Sequence, residues 1–144
     1  NQVIKMMTLE ELEKIIKKTN LFDPYLGIIR EVKNNKIIQT LKVEKNHLGA
    51  PDTCHGGVLA SLMDSVLGLT TWLDSVPKGF YCSTVEFKIN YLNRAMLGDT
   101  IIGEGTIVHR GSSLVITEGV IYCEEKNILI CKGLGTFNLY TKKD

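Results

Sequence analysis

Hydrophobic residues first recur at helical spacing, at Leu9, Leu12, Ile15 and Ile16, behind the tetrad Thr8-Leu9-Glu10-Glu11. That tetrad has the form of a capping box, with Thr8 as cap and Glu11 reaching back, and it predicts a short amphipathic helix over about residues 8–18. Asp23-Pro24 is expected to stop helical structure, because the residue before a proline is pushed out of the helical region. Residues 27–32 and 36–43 are rich in Ile and Val and flank Asn34-Asn35, which predicts two antiparallel strands joined by a hairpin. Residues 44–54 are polar and broken by Gly49 and Pro51, so a long loop is expected, of the kind that carries function in small domains. A helix follows from Gly56 to about Leu73, before Pro77 and Gly79. Four strand-like segments, residues 80–91, 100–109, 114–123 and 128–140, are then expected to form a meander.

One helix is long and apolar enough to cover one face of a sheet built from those strands. The pattern therefore predicts an α+β hotdog fold, an antiparallel β-sheet wrapped around a central long helix. At 144 residues the chain has the length of one ordinary domain, expected to span residues 1–144 with the short N-terminal helix included.

Composition narrows the function. The formal net charge is +1, from 17 basic and 16 acidic side chains scattered along the chain, which does not suggest nucleic acid as a partner. Cys54, Cys82, Cys123 and Cys131 lack C-x-x-C spacing; reduced thiols and a cytoplasmic setting are expected. No apolar block with a cleavage site opens the sequence. The longest apolar stretch, residues 58–73, is shorter than the ~20 residues of a membrane span and contains Asp64, so no membrane is expected.

Asp64 draws attention for the same reason. It lies on a helical stripe of small residues, Gly57, Ala60, Gly68 and Thr71, with Ser61 beside it, so a substrate or a second helix could approach the carboxylate closely. A carboxylate in an apolar helix is costly unless paired, hydrogen-bonded or used in chemistry. A structural Asp and a catalytic one both remain open on composition. At the helix start, the Gly56 and Gly57 amides should lack intrahelical acceptors and carry the positive end of the helix dipole, which is the construction of an oxyanion site.

The run His55-Gly56-Gly57-Val58-Leu59-Ala60-Ser61-Leu62-Met63-Asp64 resembles the H-G-G-x-x-x-x-L-x-D signature of the phenylacetate-pathway (PaaI-like) hotdog thioesterases. The likeness continues through residues 84–92, 95–99, 110–113 and 133–136, and covers nearly all of the chain after Asn46. It implies hydrolysis of an acyl-CoA thioester without a metal or other cofactor, CoA entering as part of the substrate. Gly57 would polarise the carbonyl and Asp64 would act as general base or nucleophile. Thr84 would help hold the water, while Asn46 and His55 would steady the leaving thiolate and the loop. The turn Arg110-Gly111-Ser112-Ser113 would grip the CoA moiety. The resemblance also implies a homodimer with sites between subunits, or a dimer of dimers, that is, a homotetramer. One departure is that residues 50–54 make the link from Gly49 to His55 longer than in the family.

Other readings compete. Asp52 lies in the loop before the helix, near whose start thioesterases of the 4-hydroxybenzoyl-CoA type keep their acid, although a solvated loop Asp is the plainer account. His47, Cys54 and His55 match no zinc signature. Cys54 and His55, as neighbours in an extended segment, should point apart rather than form a nucleophilic pair. Ser83 competes with Thr84 for the site, and Arg94 offers a further charge at a strand end. A non-catalytic acyl-CoA sensor or carrier is the alternative from another class; it would normally need an output module, for which the residues before Pro24 leave little room. An enoyl-CoA hydratase would need a D-x-x-x-x-H arrangement that is not found.

Overall fold

The computed structural model of the chain describes residues 7–141. Helix α1 (Leu9–Thr19) starts at the expected box: the Thr8 Oγ1 accepts the Glu11 N–H at 3.2 Å and the Glu11 carboxylate accepts the Thr8 N–H at 3.0 Å. It buries Leu12 and Ile16. The expected stop at Asp23-Pro24 is corrected: α1 ends at Asn20, and a second helix, α2 (Phe22–Leu26), contains both residues. Pro24 falls within the first turn of α2, where its missing N–H costs nothing.

Strands β1 (Ile29–Lys33) and β2 (Lys36–Lys42) form the hairpin, with Asn34 and Asn35 at φ 52° and 59°. Two successive left-handed residues make the tight turn whose twist matches the flanking strands. The long loop is likewise corrected. It folds into a 3-10 turn (Lys45–His47) and a small hairpin of β3 (Leu48–Ala50) and β4 (Thr53–Cys54), reversed through Asp52 at φ 53°.

Helix α3 (Gly56–Ser75) runs on into a 3-10 turn (Val76–Lys78), and β5 (Tyr81–Tyr91), β6 (Thr100–Arg110), β7 (Leu114–Cys123) and β8 (Ile128–Tyr140) follow. The six-stranded antiparallel sheet has the order β1-β2-β6-β7-β8-β5. The meander expectation therefore holds only for β6 to β8; β5 pairs with β8, and its other edge has no partner among the described residues. Strands consecutive in sequence are neighbours only about two-thirds of the time, and hydrophobic pattern says nothing about partners.

The sheet curls around α3, whose Leu62, Met63, Val66 and Leu67 are fully buried. Glycines on the inner face let the helix lie close: a Cβ at Gly103 would meet Val66 at 2.4 Å, and one at Gly133 would meet Met63 at 2.6 Å. Thr71 and Thr117 satisfy each other across this contact at 2.8 Å. Residues Gly56–Lys78 are, by length and hydropathy, long and apolar enough to cross a membrane, which corrects the shorter span read from the sequence. Their apolar side chains instead supply the centre of the core.

Candidate active site

The start of α3 is built around one imidazole. His55 is the N-cap, and its Nδ1 accepts the Gly57 N–H at 2.7 Å, which leaves the ring proton of the neutral form on Nε2. The expectation that both glycine amides stand free is thus corrected at Gly57, because histidine here caps the helix with its own side chain. The Gly56 N–H donates to nothing among the described residues. The ring is flanked by glycine on both sides: a Cβ at Gly49 would lie 2.6 Å from its Cδ2, and one at Gly57 would lie 2.9 Å from Nδ1.

The longer link from Gly49 is taken up by the β3–β4 hairpin, which returns the chain so that the His55 N–H donates to the His47 carbonyl at 2.8 Å. His47 is itself a buried strut. Its Nδ1 accepts the Glu44 N–H at 3.0 Å and its Nε2 donates to the Leu26 carbonyl at 2.7 Å, tying the end of α2 to the loop. Both ring nitrogens are used, so His47 has no free lone pair for a metal. Among the described residues no group of three His, Cys, Asp or Glu could hold a metal ion.

Two turns into α3, Asp64 is half-buried and its Oδ1 accepts the Thr84 hydroxyl at 2.9 Å. A bulge in β5 falls between Thr84 and Glu86; such bulges re-aim side chains. Here Thr84 faces the helix. Asp64, Thr84 and Ser83 line a cavity of about 630 Å³, walled by Trp72 and Phe137 and roofed by α1 and α2 through Ile16 and Phe22. The roof is pinned in place: the buried Asp23 accepts the Asn20 amide at 2.9 Å and the Ser65 hydroxyl, and Gln39 donates to Ser65 at 2.6 Å.

Burial pushes the Cys54 thiol up to about 11, and burial, with a smaller contribution from Asp64, pushes Cys82 up to about 12. Both are protonated near neutrality, which removes them as nucleophiles. All four cysteines are free.

The remaining candidates lie apart from this cavity. Asn46 is exposed on the 3-10 turn next to His47, and Asp52 is exposed at the tip of the small hairpin. Arg110 ends β6, where its Nε donates to Asp74 at 2.9 Å; Asp74 is ten residues along α3 from Asp64, about 15 Å. Gly111 closes the turn, since a Cβ there would sit 2.8 Å from the Leu114 carbonyl, and Ser112 and Ser113 are exposed beside it. Arg94 is exposed beyond the end of β5. Sequence reading missed His47 as a strut, Gly49 as the second wall of the imidazole, and Tyr91, whose hydroxyl donates to the Gly56 carbonyl at 2.8 Å. Gly49 carried a signal, as the glycine of a run Asn46-His47-Leu48-Gly49 that resembles the family's N-x-x-G, and Tyr91 only by lying in the matching residues 84–92.

A long helix held in a curled antiparallel sheet defines a hotdog-fold protein. The PaaI protein from the phenylacetic acid degradation operon of E. coli has this fold, with a TM-score of 0.80 at 18% identity over 93% of this chain and 94% of that one. The chain belongs to the thioesterase superfamily, whose family model matches residues 52–130. Acyl-coenzyme A thioesterase 13 of Homo sapiens is 31% identical over 134 residues, 92% of this chain and 94% of that protein. The smu.793 protein of Streptococcus mutans, solved bound to acetyl CoA, matches with a TM-score of 0.67 at 26% identity, over 82% of this chain and 90% of that one.

Proposed function

We propose that this protein hydrolyses acyl-CoA thioesters at a site completed by two copies of the chain. The names of its relatives supply the substrate class. The observation that carries the site is the pairing of Asp64 with Thr84 in the wall of an otherwise largely apolar cavity. Thr84 occupies one carboxylate oxygen, and no hydrogen bond among the described residues reaches the other, Oδ2, which is left to act on a water as general base.

In this reading water attacks the carbonyl carbon as its proton passes to Asp64. The oxyanion of the tetrahedral intermediate rests on the Gly57 N–H, which exchanges His55 Nδ1 for it, and on the open Gly56 N–H. Collapse breaks the C–S bond, and the thiolate takes the proton held by Asp64 and leaves as CoA, which restores the carboxylate. His55, with its proton on Nε2, and Asn46 steady the departing sulfur. The two terminal nitrogens of Arg110 that do not bind Asp74 face the phosphorylated end of CoA, with Gly111, Ser112 and Ser113.

Asp64 and Gly57 of one chain are seven residues apart on α3, about 10 Å, too far to meet at one carbonyl. The unpaired edge of β5 offers a second copy a place to pair, laying the two α3 helices antiparallel so that Asp64 of each approaches the His-Gly-Gly turn of the other. This homodimer is the smallest working unit. The test is thiol release from a panel of short, long and aromatic acyl-CoA esters. Wild-type protein is expected to turn over at least one of them, and Asp64→Asn, still folded, to lose at least about 10²-fold in kcat. Undiminished turnover by Asp64→Asn would remove Asp64 from the mechanism, and binding without turnover by the wild type would favour a carrier.

A further inference from the structure

Tyr91 is the last residue of β5, 35 positions from Gly56 in sequence, yet its hydroxyl donates to the Gly56 carbonyl at 2.8 Å. Its ring lies against the same residue: a Cβ placed on Gly56 would meet Tyr91 Cζ and Oη at 3.5 Å, ordinary contact. The Gly56 carbonyl and the Gly57 N–H are two ends of one planar peptide unit. At the other end that N–H donates to His55 Nδ1 at 2.7 Å. One peptide plane is therefore held at both ends by side chains from different parts of the fold.

We propose that Tyr91 is a positioning residue for oxyanion binding, its hydroxyl holding and polarising the Gly56–Gly57 peptide whose N–H receives the thioester oxygen. The inference rests on the reading of Gly57 given above. When the substrate oxygen displaces His55 from the N–H, the hold at that end is lost, and Tyr91 is the side chain that still fixes the tilt of the plane. Donation to an amide carbonyl also strengthens the N–H of the same unit as a donor, because hydrogen bonds in a chain polarise one another. Partial desolvation of the half-exposed ring, and to a lesser degree Cys131, raises the Tyr91 phenol above its ordinary value of 10.0, so it remains a donor throughout the neutral range. A purely structural tie between β5 and α3 would require the hydroxyl to support folding and nothing else.

Tyr91→Phe keeps the ring against Gly56 and removes only the hydroxyl. Two readouts separate the roles: kcat and KM for the fastest acyl-CoA ester of the panel, and the carbonyl stretching frequency of bound acetonyl-CoA, a ketone analogue that cannot be hydrolysed. In wild type the bound carbonyl should absorb at lower frequency than in water. In Tyr91→Phe that shift should shrink and kcat should fall roughly tenfold with KM within about twofold, less than the 10²–10³-fold loss for deleting an oxyanion donor itself. A variant with a lower melting temperature but unchanged kcat and carbonyl frequency would overturn the inference and leave Tyr91 a structural tie. A wild-type carbonyl no more polarised than in water would instead overturn the Gly57 reading, an outcome visible before any variant is made.

Discussion

His55 works as a cap because its neighbours have no side chains. The Cβ positions at Gly49 and Gly57 fall 2.6 and 2.9 Å from the ring, so Gly49→Ala must displace the imidazole or the hairpin. That overpacking should cost about 1–3 kcal/mol in denaturant unfolding, and turnover should fall by more than the folded fraction does. Thr84→Val removes the hydroxyl from Asp64 while preserving shape; kcat is expected to fall about tenfold with little change in KM, as measured by steady-state kinetics. At this scale the sequence was informative where chemistry is local. His55-Gly56-Gly57 and Asp64 lie on one helix, and their spacing alone sets them two turns apart. Thr84 came from the resemblance, by its place in the matching run of residues 84–92. His47 and Tyr91 act across 21 and 35 residues of chain, and no periodicity encodes a contact of that kind.

Among the elements, those with a strong period were legible to within a residue or two: α1 from its capping box, α3 from its apolar length, and β6, β7 and β8 from alternation between turn residues. Three readings failed for physical reasons. Proline stops a helix in its interior and not in its first turn, so α2 was missed. The β3–β4 hairpin is too short for alternation to register. The place of β5 beside β8 is a matter of partner choice, which only the assembled sheet decides. That place matters, because it leaves an eleven-residue strand with one edge free among the described residues, and free edges pair with other chains. The bulge residue Val85 is 58% exposed on that edge. Val85→Lys should weaken association of the copies, read by sedimentation, and activity should fall with the dimer fraction and not independently of it.

For the whole molecule, buried thiols set an alkaline limit. Cys54, Cys82 and Cys131 have ordinary values of 9.0 and are pushed up to about 11, 12 and 12 by burial. A group whose folded value is raised holds its proton more tightly when folded. The stability these three thiols contribute is therefore constant below about pH 9 and is lost as pH rises from there toward 11–12. Urea unfolding at pH 8 and pH 10.5 should give a lower midpoint at the higher pH, with a smaller difference in Cys82→Ala. Arg110, at the far end of α3, belongs to this scale too. Arg110→Ala should raise KM several-fold with kcat nearly unchanged if, as proposed above, it grips the part of the substrate that does not react.

Asp64 of one copy is proposed to serve the helix start of the other, and mixing two inactive variants tests this most directly. Asp64→Asn removes the carboxylate, and Gly57→Pro, in the first turn of α3, removes the amide proton together with the His55 cap bond and so disables the helix start. In a mixed dimer both defects fall in one site, and the second site is intact. Unfolding and refolding the two variants together in equal amounts should restore about a quarter of the wild-type rate, since half of the dimers are mixed and each has one good site of two. Recovery no greater than that of either variant alone, with mixed dimers demonstrably present, would contradict the account.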